Sequence, residues 1–218
     1  MLMRWLGHSC FYIESSQGTK IVIDPFDAPT GYQPPTVEAD LCLCTHQHHD
    51  HHAVEVLSGK PEVIDTPGRH EFKEIKIRGL KSYHDRNKGR DRGENVIFFL
   101  EVDGVRLAHC GDLGVPMDAM MMADFGRVDA LMVPVGGTYT ITAKDAWAIV
   151  QMVVPKIVIP MHYQTAHSKI ELATVDKFLA CAGLEEVPTP VKQLDLPEDL
   201  PALKKQVVML TYPGMLTE

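Results

Sequence analysis

The sequence predicts an α/β (α+β) protein in which two sheets are sandwiched between helices, and three observations lead there. Strand-like runs crowd the first half of the 218 residues, while strands and helices alternate in the second. No linker and no repeat of short period divides the chain, so residues 1–218 are expected to form one domain. Ionisable side chains gather just past several of the strand-like runs, as they do when a site is built along one sheet edge.

In order, the candidate strands are residues 3–6, 10–14, 20–24, 40–45, 62–65, 74–78, 96–102 and 105–109. Ser16-Gln17-Gly18 suits an early turn, and Asp103-Gly104 between two apolar runs is the signal of a two-residue type I′ hairpin. Residues 53–57 read as the first turns of a helix. Thr142 is placed to cap a helix running to about residue 154, with Asp145 at the capping-box position. Ala146, Trp147, Ile149, Val150 and Val153 form its apolar side. Residues 156–160 read as a buried strand ending at Met161-His162. Ser168 and Glu171 repeat the capping logic for a helix stopped by Gly183. Residues 187–201 read as a surface excursion, and 206–211 as a last strand.

Composition narrows the function. No stretch of 18 apolar residues occurs, so no membrane span is expected, and the N-terminal residues lack the apolar core of a signal peptide. Five cysteines without a CxxC pair fit reduced thiols and a cytoplasmic location better than a disulfide framework. A net charge of −8 disfavours a nucleic-acid partner. Bound divalent ions would reverse that sign locally, which leaves a small-molecule substrate of either charge, and the sequence is compatible with a homo-oligomer.

The richest segment is Thr45-His46-Gln47-His48-His49-Asp50-His51, directly after the 40–45 strand. Imidazole nitrogen and carboxylate oxygen are good ligands for borderline divalent metals. The run has ligands for two ions, His46 and His48 toward one, Asp50 and His51 toward the other. A histidine-rich surface loop is the plain reading, but the position after an apolar strand favours a site. His84, Asp112 and His162 each follow a further strand-like run. Taken singly, each histidine reads as a surface residue and Asp112 as a turn aspartate between glycines.

The order of these groups resembles the metallo-β-lactamase-fold hydrolase superfamily across nearly the whole chain. A closer resemblance, to a small branch that includes relatives of L-ascorbate-6-phosphate lactonase, rests on three segments. These are Leu6-Gly7-His8-Ser9, Pro134-Val135-Gly136-Gly137-Thr138-Tyr139-Thr140 and Ile159-Pro160-Met161-His162-Tyr163-Gln164-Thr165. The resemblance implies a four-layer αββα sandwich. It also implies one metal held by His46, His48 and His84, a second held by Asp50, His51 and His162, and Asp112 bridging them. His109 and His52 are extra histidines that compete for these roles, His109 most directly with His84.

Such a centre implies hydrolysis of an ester, lactone, amide or phosphoester by a hydroxide held between two cations, with Asp50 orienting the water. Zinc suits the imidazole-rich set best, and manganese or iron fits the same ligands. The candidates for substrate contact are His8 at an early hairpin, Arg86 and Arg90 in the charged run after His84, Gly137, Tyr139 and Thr140 in the glycine turn, and Tyr163. The charged run reads equally as a solvated loop, and the glycine turn as the lead into the Thr142 helix. Two alternatives of another class are a di-iron redox protein of the same fold and a metal-stabilised ligand sensor without turnover.

Overall fold

The computed structural model describes residues 1–200 and 206–213. The chain runs through β1 (Leu2–Gly7), β2 (Cys10–Glu14), β3 (Lys20–Ile23), β4 (Leu41–Leu43) and β5 (Glu62–Ile64). It continues through β6 (Gly68–Phe72), β7 (Ile75–Tyr83), β8 (Glu94–Val102), β9 (Val105–His109), α1 (Ala119–Phe125) and β10 (Ala130–Pro134). Then follow α2 (Ala143–Val153), β11 (Ile157–Met161), α3 (Asp176–Cys181), β12 (Leu194–Asp195) and β13 (Gln206–Val207).

Two mixed sheets result, in the orders β12-β1-β2-β3-β4-β5 and β13-β11-β10-β9-β8-β7-β6. The predicted sandwich stands. Directly paired residues share a sheet face, so Met3, Ile13, Ile21 and Leu41 line one row, and Trp5, Phe11, Ile23 and Leu43 another. The rings of Phe11 and His109 meet 5.6 Å apart, joining that face to the second sheet, where Phe98 stands beside His109. β3, β4, β10 and β11 are buried almost throughout, as strands covered on both faces must be. Among the described residues no helix is long and apolar enough to cross a membrane.

Local signals placed several elements well. Asp103 and Gly104 both have positive φ, 50° and 75°, the backbone of a type I′ turn. The Thr142 side chain accepts from Asp145 N, and Asp145 returns the bond in a full capping box. Gly183 takes the left-handed conformation that ends α3.

Other expectations are corrected. The helix expected from Ser168 begins only at Asp176, because Ser168 Oγ donates to Ile170 O instead of capping. The Gln164 side chain holds the intervening loop, donating to Thr165 O and Ser168 O and accepting from Leu172 N. The helix expected at 53–57 is one 3-10 turn, Val54–Val56; Ala53 N and Ser58 N bond to Pro25 O and Val37 O across the fold. The excursion at 187–201 contains β12, which pairs with β1; Pro201 itself lies outside the described residues. The last strand keeps only Gln206–Val207, with Leu210 bridged to Val191. β6, α1 and β10 were not anticipated.

Candidate metal centre

The two sheets bring their loop ends together at one edge of the sandwich. From the first sheet come the β1–β2 turn with His8, the end of β3 with Asp24, and the loop after β4 with residues 46–51. From the second come His84 after β7, Asp112 after β9 and His162 after β11. Loops at the carboxyl ends of parallel strands are where open α/β sheets bind ligands, because the rigid scaffold aims their side chains at one point.

Asp24 anchors the histidine loop. Its carboxylate is fully buried and accepts from Thr45 N at 2.8 Å, Thr45 Oγ1 at 2.7 Å and His51 Nδ1 at 2.8 Å. With Nδ1 donating to Asp24, His51 turns Nε2 into the site. The Thr45 hydroxyl spends its proton on Asp24 and lies 3.1 Å from His46 Nδ1, so it accepts from that nitrogen and frees His46 Nε2. One carboxylate thereby sets the tautomers of two candidate ligands. Sequence reading passed over Asp24, although an aspartate closing the apolar run Ile21-Val22-Ile23 was its signal.

Asn95, also unforeseen, performs the matching task on the second sheet. Its Nδ2 donates to Ser82 Oγ and Cys110 O, and its Oδ1 accepts from Asp112 N at 2.9 Å. His84 is held by a close approach: Gly114 lies so near that a Cβ there would meet the His84 carbonyl carbon at 2.2 Å. Gly114 N also donates to Tyr83 O.

At the centre the Asp112 carboxylate faces three imidazoles, 3.2 Å from His84 Nε2, 3.2 Å from His162 Nε2 and 3.3 Å from His51 Nε2. His46 Nε2 and His48 Nδ1 lie 3.1 Å apart. Zinc–ligand bonds of 2.0–2.1 Å in a tetrahedron put neighbouring donors about 3.3 Å apart, so this spacing fits a cation. Among the described residues, His51 Nε2 and Asp112 Oδ1 are buried without a hydrogen-bond partner. Buried polar atoms are rarely left so unless a water or an ion takes them up. Three groups have ligand atoms within 4.8 Å of one another: His46–His48–His84, His46–His51–Asp112 and His8–His51–His162.

The electrostatics suit metal ligation. Burial, reinforced by the neighbouring imidazoles, holds the His46 pKa well below its usual value, so the ring is neutral. Burial alone would raise the Asp112 pKa, but His162 and His51 outweigh it and hold the carboxyl well below its ordinary range. His51 is surrounded by Asp112, Asp24 and Asp50, which together overcome burial and raise its pKa well above normal. A ring so enclosed by carboxylates takes up a proton or a metal ion.

The remaining sequence candidates are placed as follows. Asp50 lies at the rim, its Oδ2 3.3 Å from His8 Nε2 and 3.9 Å from His51 Nε2. His8 is buried with its pKa lowered to about 4 by burial and by His162, and its carbonyl accepts from Trp5 Nε1 and His162 N. It therefore belongs inside the cluster rather than on an open pocket wall. His109 is removed from the ligands: Nε2 donates to Ser9 O and Nδ1 accepts from Gly111 N. His52 reaches toward Asp65, at 3.6 Å. Tyr163 is buried with its ring stacked on Trp5 at 5.5 Å.

The charged run after His84 is organised around Asp85, whose carboxylate accepts from the backbone of Asn87, Gly89, Asp91 and Arg92. Arg86 is tied to Asp145 at 2.8 Å, and Arg90 is exposed. Arg92, not singled out in the sequence, lies over the Tyr139 ring at 4.4 Å. Gly137 has φ 73° in the turn between β10 and α2, and Thr140 is buried at its end.

A family model for the β-lactamase superfamily domain matches residues 2–162. A UPF0173 metal-dependent hydrolase of Carboxydothermus hydrogenoformans is 31% identical over 194 residues, covering 76% of this chain and 85% of that relative. The chain belongs to the UPF0173 metal-dependent hydrolases of the metallo-β-lactamase superfamily. A UPF0173 relative from Archaeoglobus fulgidus is likewise 31% identical, over 199 residues, covering 76% of this chain and 84% of its own length. A Thermotoga maritima crystal structure described as a Zn-dependent hydrolase of the superfamily aligns with a TM-score of 0.76 and 36% identity. It covers 96% of this chain and 98% of that one. The chain has His and Asp groups at the sheet edge able to bind a metal, as a metal-dependent hydrolase requires.

Proposed function

We propose that this chain is a dinuclear hydrolase that cleaves an ester, lactone or phosphoester bond in a small anionic substrate. The observation that carries the reading is the Asp112 carboxylate set among His51, His84 and His162, with His51 Nε2 and Asp112 Oδ1 buried and without a hydrogen-bond partner. In this reading His46, His48 and His84 would hold one ion, Asp50, His51 and His162 would hold the other, and Asp112 would serve both. Zinc is the ion that suits the set.

Two bound divalent ions would acidify a coordinated water and stabilise the developing oxyanion. The chain's own residues do the rest. Asp50, at the rim beside the ligands, orients the attacking water and accepts its proton. His8 Nε2 contacts Asp50 Oδ2, the oxygen nearest His51, and so fixes the carboxylate at the rim. Asp24 and Asn95 fix the rings and the turn on which the ligands stand. The Asp85 turn carries Arg86, Lys88, Arg90 and Arg92 beside His84, and Arg92 on Tyr139 gives the entrance a cation against the glycine turn.

The test is metal content by mass spectrometry, with lactone, phosphodiester, thioester and β-lactam panels run on the same preparation. Two zinc ions per chain together with turnover of one oxygen-ester class is the expected result. One ion per chain would remove the dinuclear reading; metal without any turnover would favour a sensor.

A further inference from the structure

A wide cleft lies away from the metal centre. It opens on the outer face of the second sheet, has a volume of about 770 Å³, and is lined by Arg69, Arg78, Phe99, Arg106, Phe125 and Arg127 among others. Arg78 is six residues before His84 on β7, which puts the cleft about 20 Å along the strand from the site.

Two rows of side chains cross this face. In one, Glu71, Lys76, Glu101 and Arg106 are paired in turn across β6, β7, β8 and β9, so charges alternate and each has an opposite neighbour. In the next row, Arg69 stands directly opposite Arg78, and Arg78 opposite Phe99. Like charges directly opposed across strands are destabilising. Arg78 is also half-buried: its guanidinium lies over the Phe99 ring at 4.0 Å and donates to Phe125 O at 3.4 Å. Burial and the Arg69 charge lower its pKa, with Asp124 acting in the opposite sense. The sheet thus holds two guanidinia together over an aromatic floor, in a concavity far larger than a bare ion needs.

We infer that this cleft is a binding site for a small organic oxyanion, a phosphate or carboxylate carried on a nucleotide-sized body. The anionic group lies between Arg69 and Arg78, where a planar fork can grip it with two parallel hydrogen bonds and relieve the repulsion. The body of the ligand lies along the arginine stems and the edge of Phe99. Arg106 is already engaged by Asp129 at 3.1 Å, and Lys76 by Glu101 at 3.7 Å, so the Arg69–Arg78 pair is the part of the cleft that attracts charge.

The experiment is calorimetric titration of the full chain with adenosine 5′-monophosphate, and with inorganic phosphate and adenosine as the two halves of that probe. Arg78→Ala and Arg69→Ala are each expected to weaken the nucleotide about tenfold or more, as loss of a charge-assisted contact does. Arg78→Lys, which keeps the charge and removes the fork, is expected to weaken it less. Asp50→Ala is expected to bind like the parent, and each half of the probe much more weakly than the whole. Absence of binding, or binding lost in Asp50→Ala but kept in Arg78→Ala, overturns the inference. So does inorganic phosphate matching the nucleotide, or a dimer in sedimentation that Arg78→Ala dissociates while the nucleotide stays unbound, because then a second copy fills the cleft.

Discussion

Asp24 and His51 are joined by a 2.8 Å hydrogen bond in which neither side chain is exposed to solvent. The bond spans two adjacent parallel strand ends, and it decides which nitrogen of His51 faces the metal site. Replacing Asp24 by Asn keeps the volume and removes the charge. We expect metal affinity to fall about 10–100-fold, as when an outer partner of a ligating histidine is lost. Chelator competition against the parent would measure it, and an unchanged affinity would show that His51 needs no such partner. Asp24→Ala strands three buried donors and should cost about 3 kcal/mol or more of stability.

His84 and His109 offer a sharper contrast. Both follow strands of the second sheet, but only His84 has its Nε2 on Asp112. His84→Ala is expected to abolish one metal equivalent by mass spectrometry. His109→Gln, which preserves a donor and an acceptor, should retain the full metal content, because both nitrogens of His109 already serve Ser9 and Gly111.

Gly114→Ala should destabilise by about 2–3 kcal/mol, since the added methyl must displace the His84 backbone rather than a flexible side-chain end. Gly18→Ala makes the control. That position has positive φ, 83°, which Gly114 lacks, but open space around it, so about 1 kcal/mol of backbone strain is the expected cost. Equal effects in urea denaturation would contradict the close approach.

For an anionic substrate, Arg92→Ala is expected to raise KM several-fold with kcat little changed, as loss of uniform binding does. Arg86→Ala should do less, because Asp145 already occupies its guanidinium. The reverse order in steady-state kinetics would return the steering role to Arg86.

Asp129 supplies a pH dependence remote from the metal. Burial would raise its pKa, but hydrogen bonds from Arg106 and the charge of Lys156 prevail and lower it. A depressed folded pKa stabilises the protein above the unfolded carboxyl value of about 3.9 and ceases to do so as pH falls through the folded value. Asp129→Asn should therefore be less stable than the parent above about pH 4, with the gap closing in more acid solution. A gap that stays constant with pH in denaturation curves would mean that the charge contributes nothing.

What could be read from the chain alone was whatever neighbours in sequence decide together. The Thr45–His51 run announced a cluster of candidate metal ligands, Asp103-Gly104 a type I′ hairpin and Thr142 with Asp145 a capped helix, because each depends on contacts within a few residues. The superfamily, and with it the order of His84, Asp112 and His162, followed from motif order along the chain. The tertiary structure decided the rest. β12 exists because Leu194 and Asp195 meet β1 at the far end of the chain, and Ser168 fails as a cap because Gln164 has already claimed the loop backbone. β10 is buried on both faces and so lacks the alternation that would mark it as a strand. Asp24 and Asn95 act on residues 17 to 27 positions away, and the facing of Arg69 and Arg78 appears only when β6 and β7 pair. Chain order alone does not specify which of these distant groups meet; strand pairing and the face-to-face packing of two sheets do.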